Sequence, residues 1–180
     1  MTPDESEIGE LMVTWARVRY RVAQFFMTFW TSFRPVDAAY AARHLDPALL
    51  RLFRRMSRPE QHHGIAICRA LEVQGHGDPD LLVAALLHDV GKIQTPPRLW
   101  DRVIAVLGEH FAPQQAARWS LGEPRGLLRG FVVRRMHSEW GAALAEQAGA
   151  TPRAAALIRR HHDPVGDDVE LVALQKTDSY

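Results

Sequence analysis

The sequence predicts an all-α fold, one domain built as a helical bundle. Two observations predict it. Apolar residues recur at helical spacing in several segments. Proline, serine, aspartate and glycine punctuate the chain at intervals that suit helices and leave little room for strands. Asp46-Pro47 is an N-cap followed by a first-turn proline, and it opens a helix through Leu49, Leu50, Leu52 and Phe53. Ser57-Arg58-Pro59-Glu60 is a capping box with proline in the first turn. Its helix runs through His63, Ile67 and Leu71 to Gln74, where Gly75 and Gly77 stop it. Asp78-Pro79 begins the next helix. Its run Leu81-Leu82-Val83-Ala84-Ala85-Leu86-Leu87 suits a central buried position and delivers His88-Asp89 at its C-terminal end. From Thr95 to Pro124 four prolines, Pro96, Pro97, Pro113 and Pro124, divide the chain into short helices or loops. A long helical pattern then carries Leu127, Leu128, Phe131, Val132, Met136 and Trp140 to Ala148, with His137 inside it and Gly149 as a stop. Thr151-Pro152 opens a helix through Ala155, Leu157 and Ile158 to His161-His162, and a last segment from Val169 to Lys176 ends at Thr177-Asp178.

A chain of 180 residues suffices for one compact domain and is short for two. The expected layout is an N-terminal helical flank over residues 1–56 packing on a core domain over residues 57–180. With 22 basic side chains against 21 acids, the net charge of +1 gives no global attraction to duplex nucleic acid, which is excluded as a partner. The single cysteine, Cys68, follows Gly64-Ile65-Ala66-Ile67 and reads as a buried thiol in a reducing compartment. The opening Thr2-Pro3-Asp4-Glu5 has none of the features of a signal peptide, so a cytoplasmic location is expected. The segment from Val22 to Phe33 carries Phe25, Phe26, Phe29 and Trp30 behind Arg17, Arg19 and Arg21. It is shorter than the roughly 20 apolar residues a membrane span needs. It is expected to pack on the domain as a helical flank, and contact with a membrane surface or a partner is the alternative.

The histidines carry the chemistry. Four successive helices each offer one histidine or one pair, and a fifth ends in an aspartate, the way a bundle builds a metal site in its core. His88 follows His63 by 25 residues and His161 follows His137 by 24, each about one helical hairpin. His63, Ile67 and Leu71 recur every four residues and share a face. One histidine on an apolar face is ordinarily a hydrogen-bonded core residue. Several of them buried beside two aspartates would cost several kcal/mol per unpaired charge, which metal ions compensate. His44, His76 and His110 lack this context and read as surface histidines. His62 faces roughly 100° away from His63 and is read the same way.

On these residues the chain resembles the HD superfamily of metal-dependent phosphohydrolases, from Ser57 onward. His63-Gly64-Ile65-Ala66-Ile67 and Leu86-Leu87-His88-Asp89-Val90-Gly91-Lys92-Ile93 are similar to the family's core, with Val90 in place of isoleucine in the "HDIG" motif. Met136-His137-Ser138-Glu139-Trp140-Gly141-Ala142 and Ile158-Arg159-Arg160-His161-His162-Asp163 are similar to the later histidine motifs of the HDIG and HD-GYP branches, and Leu174-Gln175-Lys176-Thr177-Asp178 resembles the closing aspartate segment. The resemblance implies an HD-type bundle holding a dinuclear site. One ion would take His63, His88, Asp89 and Asp178, and the other would share Asp89 and take His137 with His161 or His162. It also implies a hydroxide between the ions as nucleophile. Lys92 would steady a phosphate oxygen or the leaving group, unless it merely answers a helix C-terminus. No Gly-Tyr-Pro follows His162, so cyclic-di-GMP is not implied, and Pro59 stands where trinuclear relatives carry glutamate, so two metals are expected and not three.

The implied function is phosphomonoester or phosphodiester hydrolysis of a small phosphorylated substrate such as a nucleotide. The implied cofactors are two divalent transition-metal ions. Imidazole-rich ligation favours iron or manganese, with zinc, cobalt and nickel also admitted, over magnesium and calcium. Two alternatives stand beside this reading. A smaller branch of the same superfamily holds two irons with a similar ligand set and activates oxygen. A non-catalytic signalling or scaffold domain could keep the fold alone. Arg134, Arg135, Arg159 and Arg160 read as solvated surface charges.

Overall fold

The computed structural model describes residues 34–96, 99–164 and 166–179, save the side chains of Leu99, Arg102 and Glu109. The fold is all-α, with no strand among the described residues. Backbone contacts divide the chain after Pro35, and Val36–Tyr180 forms one unit. The aromatic helix expected over residues 22–33 lies outside the described residues.

The helices begin where capping chemistry dictates. Two short ones, α1 (Ala38–Ala41) and α2 (Pro47–Phe53), lead into α3 (Arg58–Val73), whose capping box is complete: Ser57 and Glu60 satisfy each other's backbone N–H groups. Gly75, at φ 87°, turns the chain after α3. Asp78 accepts from Leu81 N at 2.9 Å and starts α4 (Pro79–Leu87). Thr151 accepts from Ala154 N at 3.0 Å and starts α8 (Pro152–Arg160). Asp168 accepts from Leu171 N and starts α9 (Val169–Asp178). Between them the 19-residue α7 (Arg129–Gln147) spans the unit.

The segment expected to hold only short helices or loops differs. It contains a 13-residue helix, α5 (Leu99–Phe111), followed by α6 (Pro113–Trp119). The described prolines sit at helix boundaries and not inside, Pro96 before α5 and Pro113 at the first turn of α6, so they frame regular structure without breaking it. These two helices form a small second cluster in which Ala105 and Ala116 pack on Phe131 of α7.

The main core surrounds α4, which packs on α3, α8 and α9. Its Leu81, Ala84, Ala85, Leu86 and Leu87 are fully buried, as the unbroken apolar run predicts. Leu71, Leu157, Ile158, Leu171 and Leu174 close around them, each contributing about 2 kcal/mol by its burial. Arg153 on α8 donates to Asp168 at 2.8 and 2.6 Å and to Glu170 at 2.6 Å, which fastens the start of α9 to α8 and so fixes where Asp178 emerges. No helix among the described residues is long and apolar enough to cross a membrane.

After His88 the chain turns into a short 3-10 helix, Val90–Gln94, that lies directly on α7. A Cβ at Gly91 would stand 1.8 Å from the His137 carbonyl oxygen and 2.6 Å from Gly141 N. Both obstacles are backbone and cannot swing aside. Gly91→Ala is therefore expected to lower unfolding free energy by about 3 kcal/mol or more. At Gly77 a Cβ would meet nothing within 4 Å, and Gly77→Ala should stay within about 0.5 kcal/mol of wild type. Urea unfolding of the two variants checks this, and equal midpoints would show that the Gly91 contact carries no weight.

Candidate metal centre

Two of the site's histidines end their own helices. His88 is the C-cap of α4, and its Nδ1 donates to Ala85 O at 2.9 Å. His161 is the C-cap of α8, and its Nδ1 donates to Ile158 O at 2.7 Å. Each thereby satisfies a carbonyl that the helix end would otherwise leave without a partner. His137, inside α7, uses Nδ1 in the same way, donating to Val133 O and Arg134 O, both at 3.0 Å. A neutral imidazole that donates through Nδ1 presents a lone pair at Nε2. Three buried rings, 1, 2 and 3 % exposed for His88, His137 and His161, thus turn acceptor nitrogens toward one another. The ring centroids of His161 lie 5.2 Å from those of both His88 and His137.

Nothing among the described residues uses all of these lone pairs. His88 Nε2 and His161 Nε2 are buried with no hydrogen-bond partner. Each such atom costs about 1–3 kcal/mol if it stays unsatisfied. The donor atoms form two groups, each within 4.8 Å of one another: His63, His88 and Asp178, and His137, His161 and His162. Asp89 lies between them, its Oδ2 3.7 Å from His88 Nε2 and its Oδ1 3.5 Å from His137 Nε2. His63 Nε2 donates to Asp178 Oδ1 at 2.8 Å, and His162 Nε2 is 3.2 Å from His137 Nε2. Nitrogen-rich donor sets flanked by carboxylates fit divalent transition metals. The ends of α4, α8 and α9 all meet here, and the partial negative charge of helix C-termini favours a cation.

Burial is the largest influence on the buried groups. It pushes His137 down to about 4, reinforced by Lys92. It holds His161 well below the usual histidine value, with His88 adding to the effect, and it lowers His162. Burial acts the same way on His63, but the hydrogen bond and charge of Asp178 outweigh it and raise that group. For the acids burial acts upward and is overcome. Lys92, then His88 and His137, hold Asp89 well below the carboxylate range, and His63 brings Asp178 down to about 2. Lys92 Nζ meets Asp89 Oδ1 at 2.6 Å, so this lysine answers the Asp89 carboxylate.

The structure brings together His63, His88, Asp89, Lys92, His137, His161, His162 and Asp178, all singled out in the sequence. His63 sits at the mouth, with 43 % of its side chain exposed, although Ile67 and Leu71 on the same face are buried. His62 belongs to neither donor group. His44 is not the surface histidine expected. It stacks on Tyr40 with centroids 5.1 Å apart and approaches Glu72 at 3.5 Å, because α1 packs against α3 there. His76 is half-buried and His110 exposed. Arg159 pairs with Glu139 and Glu146, and Arg160 with Asp163 and Asp168, so neither is a solitary solvated charge. Sequence reading missed the imidazole-to-carbonyl bonds. Their signal was the placement of His88 and His161 directly after an apolar helical run, where unpaired carbonyls collect.

A family model described as HD domain matches residues 54–180. No curated protein and no solved structure matches the chain.

Ligation requires a neutral imidazole, so protons compete with metal wherever a histidine pKa is raised. In the metal-free chain His63 stays protonated to above the ordinary value of 6.5, while His137 is neutral down to about 4. Acidification should therefore weaken the group containing His63 first. Calorimetric titration with manganese is expected to show two equivalents at about pH 8 and one at about pH 5. Loss of both together would contradict the assignment of a neutral His137 group.

Proposed function

The chain belongs to the HD domain family, and from that membership we propose that it is a metal-dependent phosphohydrolase, cleaving a phosphomonoester or phosphodiester bond of a small substrate such as a nucleotide. The observation that carries this reading is the convergence of buried imidazoles whose Nδ1 atoms are already bonded, two of them with Nε2 unpartnered. His63, His88 and Asp178 would hold one divalent ion and His137, His161 and His162 the other, with Asp89 reaching toward both. Iron or manganese is the metal proposed, with zinc, cobalt and nickel also admitted by an imidazole-rich set with carboxylates.

When bound, the ions supply Lewis acidity, which brings the pKa of water toward about 7 and polarises a phosphoryl group. The chain's own residues do the rest. Lys92 keeps Asp89 ionised and aimed between the two donor groups. Its side chain, 23 % exposed, also places the ammonium within the site to offset charge on a phosphoryl oxygen. His63, His162 and Asp178 line the open side, through which substrate would enter. Behind them the apolar wall of α4 lowers the local dielectric and strengthens each of these interactions.

The test is metal loading coupled to hydrolysis. Chelator-stripped wild type and Asp89→Ala are reloaded with manganese, their metal content is measured by plasma mass spectrometry, and both are assayed on p-nitrophenyl phosphate and its bis ester. Wild type is expected to retain two ions and to hydrolyse at least one ester, with activity at least about 100-fold lower in Asp89→Ala. Equal behaviour of the two proteins, or a wild type that retains no metal, would sink the proposal. Oxygen uptake by the iron-loaded protein without ester hydrolysis would move the reading to an oxygenase.

A further inference from the structure

Away from the metal centre, seven of the nine large hydrophobic side chains that are exposed among the described residues fall between Trp100 and Leu127. Trp100, Val103, Leu107 and Phe111 follow one another at helical spacing and form a stripe along the outer side of α5. The inner side of that helix is already used: Ala105 is buried against Phe131, and Gly108 lies beneath Phe131 and Trp119. Leu121 follows α6 and Leu127 lies in the 3-10 helix Gly126–Leu128, and both of these elements contact α5. Trp100, Phe111, Leu121 and Leu127 are each about 70 % exposed or more. Side chains that open leave most of their apolar surface in water.

Charge is segregated onto the same stretch. Residues 95–136 carry seven arginines and three acids, a net +4, while the remainder of the chain carries a net −3. Arg118 on α6 and Arg135 on α7 are exposed. A two-fold contact between copies through this face would bring arginines such as Arg118 toward their own copies, and like charges disfavour a second copy as its occupant. Protruding Trp, Phe and Leu side chains among arginines suit the boundary of an anionic bilayer, where aromatic rings enter the headgroup region and arginines meet phosphate. We propose that the face built from α5, α6 and the 3-10 helix Gly126–Leu128 docks the protein on an anionic lipid membrane. The contact is peripheral, since no helix among the described residues can span a bilayer.

Co-sedimentation of the full chain with phosphatidylglycerol vesicles and with phosphatidylcholine vesicles tests the proposal without reference to catalysis. Binding is expected to phosphatidylglycerol alone and to weaken with added salt. The double variant Trp100→Ser with Phe111→Ser should lower the partition coefficient at least about tenfold, because both rings leave water on docking. Arg118→Glu with Arg135→Glu should lower it by a similar factor. All four positions are exposed, so thermal melting should match wild type. Failure of wild type to bind phosphatidylglycerol vesicles would overturn the proposal, as would unchanged binding by the Trp100/Phe111 variant. A dimer in analytical ultracentrifugation that this variant dissociates would assign the face to a second copy instead.

Discussion

The backbone of Gly91 rests on the backbone of α7 with no room for a Cβ, and the candidate metal centre depends on that contact. It decides what happens to the chain after α4. Had the helix continued, the chain after Asp89 would have run on along the axis of α4. Instead Asp89 takes φ −92° and ψ 1°, a conformation common at turns and active sites, and the chain tightens into a 3-10 helix seated on His137 and Gly141. One turn thus brings a carboxylate from the α4 end into reach of an imidazole on α7. The run His88, Asp89 and Gly91 is, in these terms, two donors and the small residue that lets their backbone approach a third donor, His137.

Around that contact the site is assembled from helix ends. Ends are convenient because their carbonyls need partners and their partial charge favours cations. His88 and His161 satisfy the first need through Nδ1, which orients Nε2 for the second. The site also holds two buried nitrogens without a hydrogen-bond partner among the described residues, an arrangement a structural core would avoid. Lys92 partly offsets the surplus of acceptors by neutralising Asp89, so the carboxylate stays charged in a dry environment.

Much of this was legible in the sequence because the signals are local. The capping box at Ser57, the aspartate and threonine caps at Asp78 and Thr151, and the apolar run of α4 each mark a boundary or a burial that the chain itself enforces. The histidines could be gathered because each falls on a separate helix with a consistent facing. What stayed hidden depends on contacts between distant segments. The spacing of His44 gives no sign that Glu72 and Tyr40 surround it. Prolines look like breaks until one sees that those around α5 lie outside the helix. The small size of Gly91 reads as a motif letter until α7 is laid against it.

The central claim is that two clusters of nitrogen and oxygen donors, linked by Asp89, are built to hold two ions. Anomalous diffraction from crystals grown with manganese, measured at that metal's absorption edge, tests it most directly. Two peaks are expected, one within bonding distance of His63, His88 and Asp178 and one within bonding distance of His137 and at least one of His161 and His162, with Asp89 adjacent to both. No peak at these residues, or peaks confined to surface carboxylates, would contradict it.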